Sequence, residues 1–142
     1  MAATCTSTAR FRNLGTSPLK DRNPRRFNPH PKPHEPTLTL DLKDDPESIA
    51  EYRRHHEKVW PEISQSIRDS GIEDMEIYLL GTRMFMIMEV NAEFSFHEKS
   101  EADRSNPKVQ EWEQLVWKFQ KPLPEAKPGE KWMLTERIFK LE

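Results

Sequence analysis

The 142 residues, 35% apolar and 32% charged, fit one small soluble domain plus some tail, and no apolar run approaches the roughly 18 residues a membrane-spanning helix needs. The net charge of −2 is uneven: residues 1–36 hold seven of the 22 Lys and Arg but two of the 24 acids, leaving 15 bases against 22 acids and a body at −7. That balance excludes a phosphate-backbone binder, which needs clustered cations, and the single cysteine, Cys5, excludes an internal disulfide or a cysteine metal cluster and suits a reducing compartment.

Residues 1–36 contain Pro18, Pro24, Pro29, Pro31, Pro33 and Pro36 and no apolar periodicity, so they are predicted to be a disordered basic extension. The stretch Met1 to Arg10 is hydroxyl-rich and basic, has no acid before Asp21 and lacks the apolar core of a secretory signal. It reads either as an untargeted extension on a cytoplasmic protein or as an organelle transit peptide. Pro29-His30-Pro31-Lys32-Pro33-His34 reads as a stiff extended linker.

Thr37–Leu42 alternates, with Leu38, Leu40 and Leu42 on one face, and is predicted to be the first strand. Asp45 before Pro46 places a capping carboxylate ahead of a proline at the first helical position, so a helix starts there and runs through Ile49, Tyr52 and His56. Trp60-Pro61 interrupts it, because a residue before proline is pushed out of the α region. Pro61 opens a second helix through Ile63 and Ile67, closed by Gly71. Met75–Leu80 and Arg83–Val90 flank Gly81-Thr82 as a hairpin.

Met84-Phe85-Met86-Ile87-Met88 has no polar residue on either face, which predicts a strand covered on both sides. Helices of one protomer cover one side of a small sheet, so the other side is expected to meet a second subunit. Phe94–Asp103 is a weak helical segment. Asn106-Pro107 repeats the cap-plus-proline start of a helix with Val109, Trp112, Val116 and Phe119 on its inner face, ending near Gln120. A loop with Pro122, Pro124, Pro128 and Gly129 leads to a last strand over Lys131–Phe139. The order β-α-α-β-β-α-β predicts an α+β, ferredoxin-like antiparallel sheet with helices on one face, over residues 37–142.

Chemistry concentrates in Tyr52-Arg53-Arg54-His55-His56-Glu57-Lys58-Val59-Trp60-Pro61-Glu62. On a helix Tyr52 and His56 share a face, so a phenol and an imidazole reach the same small molecule, and an imidazole with an ordinary pKa of about 6.5 exchanges protons at neutral pH. The plain alternative is a solvated helix face with a satisfied histidine and a core tryptophan. His55-His56-Glu57 is not a metal pattern, because adjacent residues diverge around a helix.

The stretch Glu51-Tyr52-Arg53-Arg54-His55-His56-Glu57-Lys58-Val59-Trp60-Pro61-Glu62 resembles the signature of the L-rhamnose mutarotase family. The resemblance continues through Gly71-Ile72, Met75-Glu76-Ile77-Tyr78 and Arg83 to Glu89, then Asn106 to Glu113, Pro122-Leu123-Pro124, Pro128 to Trp132 and Arg137-Ile138-Phe139. It implies a dimeric α+β barrel that interconverts the α and β anomers of a 6-deoxy-hexose such as L-rhamnose or L-fucose, as a homodimer with a monosaccharide substrate and no cofactor, metal, nucleic-acid or membrane partner. By position it makes His56 the catalytic proton donor, and Tyr52 and Trp112 sugar contacts.

Two positions depart from the family pattern: Met75 stands in place of a second sugar-contacting tyrosine and Glu113 in place of a second tryptophan. Glu113 is a candidate for binding sugar hydroxyls or a solvated acid, and Met75 points to a pocket shaped for a different sugar, with L-fucose the natural competitor. Tyr78 is a weak replacement for the missing phenol, since strand alternation turns it away from Met75. The competing readings are a non-catalytic sugar- or protein-binding module of the same dimeric fold, and a ferredoxin-like monooxygenase.

Overall fold

Short polar side chains and prolines set the helix starts. Asp45 accepts a hydrogen bond from the Ser48 N–H at 3.0 Å ahead of helix α1 (Pro46–Glu57). Trp60, extended at φ −57° and ψ 138°, hands over to Pro61 at the head of α2 (Pro61–Asp69). Ser95 caps α3 (Phe96–Ser105), and Asn106 Oδ1 accepts from the Lys108 and Val109 N–H groups at 3.1 and 3.4 Å to cap α4 (Pro107–Trp117). Gly71 ends α2 at φ +93°, where a side chain would be strained and its Cβ would lie 2.5 Å from Asn91 Oδ1.

These elements belong to a computed structural model that describes residues 35–142. The basic extension, apart from Glu35 and Pro36, lies outside the described residues, as does Cys5. The Pro36 carbonyl accepts from the Met88 N–H at 3.1 Å. Among the described residues no helix is long and apolar enough to cross a membrane.

Strands β1 (Thr37–Leu42), β2 (Ile72–Leu80), β3 (Arg83–Val90), β4 (Gln120–Lys121) and β5 (Met133–Leu134) form one antiparallel sheet in the order β2-β3-β1-β4, with β5 also paired to β1. The predicted first strand and hairpin are present, with Leu80 opposite Arg83 across Gly81-Thr82. Register decides which side chains share a face. Leu38 pairs with Met86, Leu40 with Met84 and Met75 with Met88, so these line the helix-covered face.

Leu40, Leu42 and Met84, each at most 1% exposed, form the main core with Tyr52, Ile63, Val109, Trp112 and Val116. Leu38, Ile72 and Met88 form a second cluster that takes in Met75. The opposite sheet face carries Tyr78, Leu80, Phe85 and Ile87, all exposed in a single chain. The α+β, ferredoxin-like antiparallel sheet with helices on one face is the architecture expected, and only one side of β3 is covered within one chain.

Three expectations need correction. Helix α4 ends at Trp117 rather than near Gln120, because Gln120 and Lys121 turn extended to pair with Leu42 and Asp41. The final strand covers Met133–Leu134 rather than Lys131–Phe139. It borrows β1, pairs only with Leu38 and Thr39, and after the Thr135 N–H bonds the Thr37 carbonyl at 2.8 Å its partner strand has ended. The weak helical segment lies two residues later than predicted, as α3 starts only behind the Ser95 cap.

Candidate functional site

The helical spacing in α1 puts Tyr52 and His56 one above the other. Their rings stack with centroids 4.3 Å apart and planes 29° apart. From α4, Trp112 sets its edge against His56 at 5.4 Å, and Trp60, at the α1–α2 corner, meets Trp112 at 5.2 Å. An imidazole, a phenol and two indoles thus gather from three segments that the sequence separates by up to 60 positions. Lys108 stands over the outer face of Trp60 at 5.6 Å, a cation beside an otherwise apolar wall.

His56 is half-buried while Tyr52 and Trp112 are buried. The His56 Nδ1 lies 2.9 Å from the Tyr52 carbonyl, which can only accept, so Nδ1 carries the hydrogen. In the neutral ring the lone pair therefore sits at Nε2. Burial pulls the His56 pKa down, the Tyr52 carbonyl bond pushes it up, and the neighbouring His55 pulls it down again, for a net lowering from 6.5. The lowering favours the neutral ring at physiological pH. Burial pushes the Tyr52 phenol up to about 12, against a lowering from its bond to Gln120, so it stays protonated and can donate.

His55 points away, as adjacent helix positions must, with its ring 5.8 Å from Phe119. Glu113, one residue beyond Trp112 and turned around α4, lies 3.6 Å from Lys131, whose ammonium also sits 5.1 Å from the Trp117 ring. Met75 packs in the second core cluster. Tyr78 is on the outer sheet face, 53% exposed, and donates to Glu76 at 2.6 Å, so it does not replace the missing phenol. Arg54 pairs with Glu51 on the solvent side at 2.5 Å.

Trp60 and Gln120 escaped sequence reasoning. Trp60 reads from the sequence as an interruption before Pro61 or as a core tryptophan, not as a neighbour of Trp112. Gln120 read as a helix end, although a glutamine continuing the stripe of Val109, Trp112 and Val116 was a signal of a polar group required inside.

Comparison with known proteins gives concordant matches. The profile of the L-rhamnose mutarotase family matches residues 36–141. An L-fucose mutarotase of Xanthomonas campestris pv. campestris is 44% identical over 104 residues, covering 72% of this chain and 83% of the relative. An L-rhamnose mutarotase of Shigella flexneri serotype 5b is 29% identical over 89 residues, covering 61% of this chain and 78% of the relative. The crystal structure of an L-rhamnose mutarotase from Formosa agariphila superposes with a TM-score of 0.58 at 17% identity, covering 78% of this chain and all of that one, which establishes the shared fold.

Proposed function

The chain belongs to the L-rhamnose mutarotase family, and from that premise we propose that it is a cofactor-free aldose 1-epimerase exchanging the α and β anomers of a 6-deoxy-hexose. The observation that carries the reading is the stack of His56 on Tyr52 with Trp112 at its edge. L-Fucose is the first substrate to test, because the Xanthomonas L-fucose mutarotase is 44% identical over 104 residues and the Shigella L-rhamnose mutarotase 29% over 89, and because Met75 removes a phenol from the family pattern.

Anomer exchange removes the proton of the anomeric hydroxyl and delivers one to the ring oxygen. The open aldehyde turns about C1–C2 and closes on its other face. In this reading the neutral His56 takes the hydroxyl proton at Nε2 and the C1–ring-oxygen bond breaks as water protonates the ring oxygen. On closure the hydroxide so formed takes that proton back from the attacking hydroxyl while the imidazolium donates to the former carbonyl oxygen, which is the donor role the resemblance implies. Tyr52 donates to a sugar oxygen and the Trp112 indole faces the methyl-bearing apolar side, while Glu113, turned away around α4, keeps its ion pair with Lys131. Saturation transfer between the α and β anomeric proton signals of L-fucose and L-rhamnose tests this directly. Exchange that rises with protein concentration supports it; exchange at the solvent rate with bound sugar leaves a non-catalytic binding module.

The lowered His56 pKa sets the pH profile. A group needed neutral, with its pKa lowered from 6.5, gives a rate that levels off as pH rises above 6.5 and an acid limb whose midpoint lies below 6.5. The same shift makes the unfolded chain the better proton binder, so this contribution to stability is complete above pH 6.5 and fades as pH falls through the native value. A rate that instead rises on acidification from pH 7 to 5 would show that the imidazolium, not the base, limits exchange.

The homodimer is proposed through the open sheet face. Tyr78, Leu80, Phe85 and Ile87 present an apolar surface that a lone chain leaves to water. Sedimentation equilibrium should return twice the chain mass, falling to one on replacing both Phe85 and Ile87 with glutamate. A monomeric wild type would refute this arrangement. The proposed location is the cytoplasm or, with the basic extension acting as a transit peptide, an organelle; the mass of the mature protein from its source separates the two.

A further inference from the structure

Gln120 is 5% exposed and is the sole polar or charged side chain buried among the described residues. A carboxamide taken out of water is retained where hydrogen bonds replace those it lost. Its partner in the sheet, Leu42, is 1% exposed and apolar, so packing alone would favour an aliphatic residue there. The β4–β1 pairing and the bond from the Lys43 N–H to the Phe119 carbonyl at 2.8 Å fix the backbone so that Gln120 turns inward while Lys121 stays exposed.

The Gln120 Nε2 donates to the Tyr52 phenol oxygen at 3.4 Å, across 68 positions of sequence. A phenol has one hydrogen to give and two lone pairs, and an amide N–H can occupy only a lone pair. The phenol hydrogen is therefore directed away from Gln120. It belongs to the same ring that backs His56. We propose that Gln120 is a positioning residue of the sugar site: its carboxamide holds the Tyr52 hydroxyl as a hydrogen-bond donor to a sugar oxygen and so raises affinity without touching the reacting atoms. This rests on the reading of the Tyr52–His56–Trp112 cluster as the sugar site.

Exchange rates measured over a range of L-fucose concentrations separate KM from kcat. Gln120→Leu should raise KM about 3- to 10-fold with kcat held within about 3-fold, the loss of one neutral hydrogen bond used equally in ground and transition states. Gln120→Glu, which offers only acceptors and turns the phenol hydrogen inward, should raise KM at least as much. In a Tyr52→Phe background Gln120→Leu should add nothing, whereas a residue that merely supported the core would add its effect in full. An unchanged KM in Gln120→Leu, or full additivity with Tyr52→Phe, overturns the proposal.

The two tyrosines, Tyr52 and Tyr78, allow a readout independent of turnover. In 3-fluorotyrosine-labelled protein, with Tyr78→Phe assigning the signals, L-fucose should shift the Tyr52 fluorine resonance, and Gln120→Leu should move that titration to higher sugar concentration. Binding weakened by Gln120→Leu in a protein without anomer exchange would sustain the positioning role and refute the epimerase. Normal binding by Gln120→Leu in a protein with exchange would do the reverse. No sugar-induced shift and no exchange in wild type would refute both.

Discussion

Replacing His56 with alanine is expected to cut protein-dependent anomer exchange about 10²- to 10⁴-fold, the range a positioned acid–base group supplies. The ring is half-buried, so its removal leaves the main core of Leu40, Leu42 and Met84 in place. It forfeits the stack on Tyr52 at 4.3 Å, a contact of about 1 kcal/mol between rings, and the bond to the Tyr52 carbonyl, which the helix can offer to solvent instead. The variant should therefore fold, bind sugar and fail to exchange it. Added imidazole should restore part of the rate, since the missing group is a diffusible base. Wild-type exchange by a folded His56→Ala protein would remove this residue from the chemistry.

Trp112→Ala is expected to be the most damaging single substitution for stability among the site residues, at about 3–5 kcal/mol. Trp112 is 8% exposed and holds the edges of both His56 and Trp60 while closing the core around Val109 and Val116. Small domains hold about 5–15 kcal/mol in all, so a loss of this size takes a large fraction of the total. Urea unfolding followed by far-ultraviolet circular dichroism should show the midpoint fall with the slope retained, and exchange should fall with it. Trp112→Phe keeps a ring against His56 and most of the core, and should retain the fold while weakening sugar affinity. Trp112→Ala as stable as wild type would mean that the indole is not part of the core as placed.

Several elements were legible before any fold was known, and for the same reason. The alternation of Leu38, Leu40 and Leu42, the Asp45-Pro46 and Asn106-Pro107 helix starts, the Gly81-Thr82 hairpin and the four-residue step from Tyr52 to His56 are each set by interactions within a few residues. Backbone sterics, capping and helical period act at that range, so the chain states them locally. The rest depends on partners far along the chain. Whether β5 runs on past Leu134 is fixed by where β1 begins, and whether Gln120 ends a helix or joins a strand is fixed by Leu42. That Trp112 touches His56, or that Gln120 reaches the Tyr52 hydroxyl, follows from packing α1 and α4 onto one face of the sheet that β4 extends. The sequence by itself determined the periodic elements and the pair Tyr52–His56. Tertiary packing alone decided which rings enclose that imidazole, which amide orients that phenol and which sheet face stays open, because contacts between distant segments are settled by burial and register rather than by local preference.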